Sequence, residues 1–447
     1  MSTVDRQTDP LAAEDVAAAV IPTRNIVAGR IDADAMKVVR RLRRFGHSAY
    51  LVGGCVRDLM LRRRPKDFDV ATSARPNEIR KLFRNCRLIG RRFRLAHIIF
   101  RDKVIETATF RAAVDNHGDD LLIRSDNVFG SEQQDAYRRD FTINGLFYDP
   151  VERHIIDYVG GMEDLARRIL RFIGEPEVRV QEDPVRILRA IRFAARLGFS
   201  IEPATYRAMQ RYRQDVSRCA PPRLLEEVIR MLRSGAAQQC FQLMWECGVL
   251  PVLLPEVARF LARSPERGEE REPGAGLFAY LRALDAGERE LLSNPVLLAA
   301  VLLHPVADIM EHGCRPYGLS GRESAPGEIA RLLLRGIIQR LSLPRWQAER
   351  IQQVIATQFR LRKLRPGMRA PRVLLRRNYF PEALDLFSCG VRATSHGRRL
   401  LRQLQRATRQ KPPAPAAVPE PGPTSTGAKT RRRRRRPRRR PGKQAGG

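Results

Sequence analysis

Between residues 49 and 110 apolar side chains recur in four short β-like runs, at 49–52, 68–71, 96–100 and 104–110, and each run predicts a β-strand. A different period precedes them. From Asp34 the apolar positions Met36, Val38, Val39, Leu42 and Phe45 fit a helix of about three turns. Beyond Glu182 the pattern is helical almost to residue 410, with no strand signature and no internal repeat. The first 25 residues are acidic, Ala-rich and weakly patterned, and read as a loose leader. The polar stretch 112–137 and the charged, Gly-rich stretch 264–287 read as loops. The pattern predicts an α+β fold: a head with a small mixed sheet, then an all-α neck and body.

Composition narrows the class. At 447 residues the chain has room for roughly three units of about 150 residues each. The strongest apolar run, 296–303, lies between Pro295 and Pro305 and falls far short of the roughly 20 residues of a membrane span. Asp5, Asp9, Glu14 and Asp15 occupy the stretch where a signal peptide would be basic and then apolar. Seven cysteines, none in a C-x-x-C pair, argue against a secreted disulfide scaffold. A cytoplasmic protein with no membrane contact is the expectation. Charge then supplies a partner. Lys and Arg number 82 against 49 acids, a net of +33. Residues 411–447 open with a Pro-rich linker and carry Arg at 431–436 and 438–440, twelve cations in all against Glu420, so a net +22 remains outside this tail. Such a tail repels itself and is expected to be disordered. The charge of the rest calls for a polyanion, and nucleic acid is the one expected.

The carboxylates carry the chemistry. In Leu51-Val52-Gly53-Gly54-Cys55-Val56-Arg57-Asp58 a strand ends in a Gly pair and a helix begins at once, a turn that lets backbone approach a phosphate. In Asp67-Phe68-Asp69-Val70 alternation puts both acids on one strand face, with Phe68 and Val70 turned to the core. Two neighbouring carboxylates repel unless a cation lies between them, and Mg²⁺ suits a site completed by water and substrate phosphates. Glu106, in Val104-Ile105-Glu106-Thr107, and Asp140, in Arg138-Arg139-Asp140-Phe141-Thr142-Ile143-Asn144, are the two candidates for a third ligand. In Glu182-Asp183-Pro184-Val185-Arg186-Ile187-Leu188-Arg189, Asp183 is a predicted N-cap and Gly198 the helix end; an Asp183–Arg186 pair would suit reading a base edge.

Together these stretches, with Asp157-Tyr158-Val159-Gly160-Gly161-Met162-Glu163-Asp164-Leu165, make residues 49 to about 235 resemble the class II nucleotidyltransferases of the polymerase-β-like superfamily. That family includes bacterial poly(A) polymerases and tRNA CCA-adding enzymes. The resemblance implies a catalytic head over 26–175, a neck with base recognition over 176–260, an RNA-binding body over 261–410 and the tail over 411–447. By the same resemblance Asp67 and Asp69 hold two Mg²⁺ ions and Asp140 completes the catalytic carboxylates, with Glu106 or Asp140 open as a further metal ligand. Gly53, Gly54, Arg57, Arg139 and Asn144 would contact the nucleotide, and Glu182, Asp183, Arg186 and Arg189 would form its recognition surface.

Within the family, Arg91-Arg92-Phe93-Arg94-Leu95-Ala96-His97 and the Arg-rich extension look like the poly(A) polymerase branch. The implied activity is template-independent addition of AMP from ATP to RNA 3′ ends, by a monomer whose partners are RNA, ATP and the RNA-decay machinery. CCA addition to tRNA, which uses the same catalytic residues, and a non-catalytic RNA-binding protein on the same fold are the alternatives.

Overall fold

Eight strands form one sheet in the computed structural model, which describes residues 18–23, 26–90, 95–112, 128–263, 274–317, 325–365, 367–368 and 371–409. In chain order they are β1 (Ala19–Pro22), β2 (Ala49–Val52), β3 (Asp69–Thr72), β4 (Cys86–Ile89), β5 (Leu95–Ile99), β6 (Val104–Thr109), β7 (Phe147–Asp149) and β8 (His154–Asp157). Their spatial order is β1-β8-β7-β2-β3-β6-β5-β4. β3 and β6 run parallel, and the other neighbours run antiparallel. The mixed sheet is therefore larger than the four predicted strands. The additional strands are β1, β4, β7 and β8; β7 and β8 are buried on both faces and so show no apolar–polar alternation in the sequence.

Local chemistry explains the predicted elements. Asp32 caps the helix Ala33–Arg44 by accepting from the backbone N–H groups of Asp34 and Ala35 at 2.8 and 3.1 Å. Val38, Val39 and Leu42 bury one stripe of that helix, and Phe45 lies past its end, exposed, with its ring beneath Arg41. In β3, Val70 and Ala71 are both buried, because the strand sits in mid-sheet beside β2 and β6.

Four expectations are corrected. The loose leader ends in β1, an outer strand paired with β8; its exposed residues alternate too weakly to announce it. The loop expected over 112–137 ends in the helix Glu132–Tyr137, capped by Ser131, which accepts from the Gln134 N–H. The loop expected over 264–287 contains the helix Gly274–Asp285, whose Leu277, Leu281 and Leu284 are buried. Beyond Glu182 there is a strand after all: β10 (Ser200–Ile201) pairs in parallel with β9 (Ile169–Leu170), a two-residue ladder. The expected disordered tail, 411–447, lies outside the described residues, as do 1–17.

The remainder is helical. Its spine is the helix Asn294–His312, long and apolar enough by composition to cross a membrane, yet mostly buried inside the body. Pro305 does not end it. Leu303, Val306 and Ile309 on either side of the proline bury in one core, which outweighs a lost backbone bond of about 3 kcal/mol.

Head and neck share their apolar core. Phe141 stacks on Phe172 at 5.3 Å between ring centroids and meets the edge of Phe193 at 5.6 Å, on the helix Val185–Leu197. The Phe141→Ala variant should lower stability by about 3–5 kcal/mol, read from the urea-unfolding midpoint.

Candidate active site

The end of β2 organises the site. Val52 is in register with Asp69 of β3 on one side and Phe147 of β7 on the other. The next residue, Gly53, takes φ +72° and ψ −130°, a conformation open to glycine, and turns the chain into the helix Gly54–Met60. A Cβ on Gly53 would meet Nη1 of Arg139 at 3.1 Å. Arg139 is fixed from behind: it donates to Oδ2 of Asp135 at 3.2 and 2.8 Å, and its guanidinium lies 5.2 Å over the Phe147 ring.

Beside that turn is a row of acids. Asp69 pairs in register with Glu106, and Glu106 with His97 of β5, so the three side chains share one face of the sheet. His97 Nε2 lies 3.6 Å from Glu106 Oε1. Asp67 is exposed just before β3, while Phe68 and Val70 are buried as alternation predicts. Burial pushes the Asp69 carboxyl up to about 6; Glu106 and Asp67 push the same way, and Arg139 opposes them. Among the described residues no three His, Cys, Asp or Glu side chains converge into a protein-only metal cage.

Asp140 stands apart from this row in its bonding. Its Oδ1 accepts from the Phe141 N–H at 2.9 Å and from Asn144 Nδ2 at 3.0 Å; its Oδ2 accepts from Arg189 Nε and Nη2 at 2.8 and 2.5 Å. Burial by itself would raise its pKa, but the Arg189 charge, the Asn144 bond and the Arg189 bonds bring it down to about 2. Asn144 Oδ1 in turn accepts from Arg57 Nη1 at 2.7 Å, and Arg57 is buried with both Nε and Nη2 on Asp58. The structure thus gathers Gly53, Gly54, Arg139, Asp67, Asp69 and Glu106 around the turn. Arg57 and Asn144, both buried, and the partly buried Asp140 and Arg189 form a second chain.

The turn that carries Asn144 is braced by the 157–165 motif. Asp157 accepts from the backbone N–H groups of Val159, Gly161 and Met162, and Asp164 Oδ2 accepts from Thr142 Oγ1 at 2.7 Å. A Cβ on Gly161 would lie 2.2 Å from the Thr142 carbonyl oxygen, so only glycine fits there.

On the neck, the expected Asp183–Arg186 pair is not formed. Arg186 is buried and donates to Glu182 Oε2 and to the Arg179 carbonyl, both at 2.6 Å. Asp183 instead accepts a two-pronged bond from Arg223 at 3.1 and 2.8 Å. The helix starts at Val185 with Pro184 as its cap, one residue later than Asp183 would set it, and ends at Gly198 as predicted. Arg179 and Arg223 are the residues sequence reading missed. Arg179 donates to Glu182 at 2.6 Å and to the carbonyls of Arg138 and Arg139 at 2.8 and 2.6 Å. Neither belongs to a motif; each is brought in by packing of the neck helices.

Comparison with known proteins fits this geometry. The family profile described as "Poly A polymerase head domain" matches residues 49–171, and one described as "Probable RNA and SrmB- binding site of polymerase A" matches 198–261. Poly(A) polymerase I of Salmonella typhimurium is 41% identical over 314 residues, 67% of each chain. Poly(A) polymerase I of Haemophilus influenzae is 37% identical over 373 residues, 79% of each chain. Among solved structures, the Bacillus stearothermophilus CCA-adding enzyme in complex with CTP superposes with a TM-score of 0.59 at 26% identity, covering 83% of this chain and 80% of that one.

The Asp140–Arg189 pair predicts an acid limb. A carboxyl depressed in the folded state adds stability that is complete above the unfolded value of 3.8 and is lost as pH falls through about 2. That contribution is about 2 kcal/mol. The Asp140→Asn variant should be weaker by about that amount at pH 7 and should lose less stability between pH 4 and 2, measured by chemical denaturation across that range.

Proposed function

The chain belongs to the poly(A) polymerase family of nucleotidyltransferases, and from that premise we propose how its side chains transfer AMP from ATP to an RNA 3′ end without a template. The observation that carries the assignment is the register of Asp69 with Glu106, next to Asp67 and one residue from the Gly53 turn.

The donor set suits a hard cation. It is carboxylate oxygen throughout, one acid exposed and the next held up to about 6 by burial and by like charge. Asp67 and Asp69, with Glu106 as the third acid, would hold two Mg²⁺, which supply activation of the 3′ hydroxyl and charge compensation for the departing pyrophosphate. Asp140 is then a positioning residue. Both of its oxygens are already taken, and it sets the Asn144 amide that orients Arg57.

The remaining work falls to this chain's own groups. The Gly53 turn brings backbone within reach of phosphate, and Arg139, clamped by Asp135 and seated over Phe147, places a fixed positive charge beside it. In-line displacement at the α-phosphorus needs the RNA 3′ oxygen and the pyrophosphate oxygen on opposite sides. The Gly53 turn, Arg139 and the acid row, gathered at one place, would supply the positioning and charge compensation that this displacement needs. Adenine selection is assigned to Asp183, the partly exposed acid that Arg223 shares, with Arg186 held behind it by Glu182.

Two measurements test the reading. The Asp67→Ala/Asp69→Ala variant should add no AMP, and Glu106→Gln should lower kcat by about 10²-fold with ATP KM little changed, read by gel extension of a short RNA. Supplied with ATP alone on an unstructured RNA, the enzyme should make long tails. Arrest after C-C-A when CTP and ATP are given together would assign it to the CCA-adding branch instead, and no extension at all would leave an RNA-binding protein.

A further inference from the structure

The C-terminal helices carry a pocket far along the chain from the acid row and outside the residues matched by either family profile. It forms where the helix Arg345–Arg362 ends at Lys363 and the chain returns through the short helix Arg372–Leu375 into Phe380–Thr394. The cavity measures about 300 Å³. Leu364, Pro371 and Leu374 make an apolar floor, and Tyr379 closes one side. Val373, 68% exposed, stands at the lining as a large apolar side chain open to water.

Three cations border that floor: Arg360, Lys363 and Arg377. Arg360 and Lys363 are one helical turn apart and share a face. Among the described residues none of the three forms an ion pair. The nearby acids are committed elsewhere, Glu349 to Arg345 at 3.2 Å and Glu382 to Arg350 at 3.0 Å. Residues 345–409 hold 16 Arg and Lys against three acids. The helix dipole favours cations at its C-terminal end, where Arg360 and Lys363 lie, but does not account for Arg377, which belongs to a different segment.

An apolar floor beside an aromatic ring and fringed by unpaired cations has the chemistry of a nucleotide seat: a flat base for the floor and ring, phosphates for the cations. The chain's own Arg run at 431–440 is excluded as occupant by its charge. We propose that this pocket holds one nucleotide of single-stranded RNA upstream of the 3′ end, with its base on Leu364 and Leu374 and its phosphates between Arg360, Lys363 and Arg377. The proposal rests on the reading of the chain as an RNA-extending enzyme. It adds a second anchor point for the same strand, on the helical body.

The test uses the full-length protein and fluorescein-labelled oligo(A) of 20 nucleotides, followed by anisotropy as salt is raised. The Arg360→Gln/Lys363→Gln variant should raise Kd about tenfold and lower the slope of log Kd against log salt by about 1.4, two single-strand phosphate contacts. Val373→Asp, a substitution at an exposed position, should raise Kd by repulsion at the lining, and neither variant should shift the melting temperature. Wild-type Kd and salt slope in both variants would overturn the pocket, as would displacement of the oligo(A) by oligoglutamate as readily as by unlabelled oligo(A). A wild-type protein that binds the oligo(A) in this way but never extends it would instead overturn the catalytic reading and leave the pocket standing.

Discussion

The polar framework behind the site hangs on one partly buried ionic bond, Asp140 with Arg189, because it joins the sheet-bearing head to the first long neck helix. From it a chain of polar contacts runs both ways. Asn144 and Arg57 continue it into the head, ending on Asp58; on the neck side Glu227 holds Arg192 at 2.9 Å and reaches Arg189 at 4.0 Å. The Phe193 ring underlies three of these guanidiniums, with centroid distances of 5.0 Å to Arg57, 5.5 Å to Arg189 and 4.5 Å to Arg192. Charges taken out of water are tolerable only when their bonds are made, and here each carboxylate is matched by an arginine.

The acid row depends on a different constraint, strand register. The parallel pairing of β3 with β6 sets Glu106 beside Asp69, and a slip of one residue would carry Glu106 to the far face. The register is held by burial on the opposite face, where Val70, Ile105 and Ile98 leave no room for a shift. Negative charge is thereby concentrated at one place by apolar packing on the opposite face of the sheet.

Much of this was legible beforehand where chemistry and periodicity coincided. The Gly53-Gly54 turn and the end of the neck helix at Gly198 follow from local rules and fall where those rules put them; of the two acids expected on one strand face, Asp69 opens β3 and Asp67 lies just before it. Strands of three or four residues, such as β7 and β8, were not legible, because their pairing partners and not their own pattern define them. Side-chain partnerships also escaped. Asp183 is adjacent to a helix start and three residues from Arg186, yet tertiary packing gives it Arg223, forty positions away. Asp140 reads as a cap or a ligand from its neighbours; only the fold reveals the arginine that occupies it. Pro305, a helix breaker by local rules, is overridden by burial on both sides.

The bolt between head and neck also bears on how successive nucleotides are added. Two bodies joined by a partly buried carboxylate–guanidinium fork and a shared aromatic stack resist separation, since opening them would break both charge-assisted bonds and expose the rings. Such a joint favours a strand that moves past a fixed cleft over a cleft that hinges open at every addition.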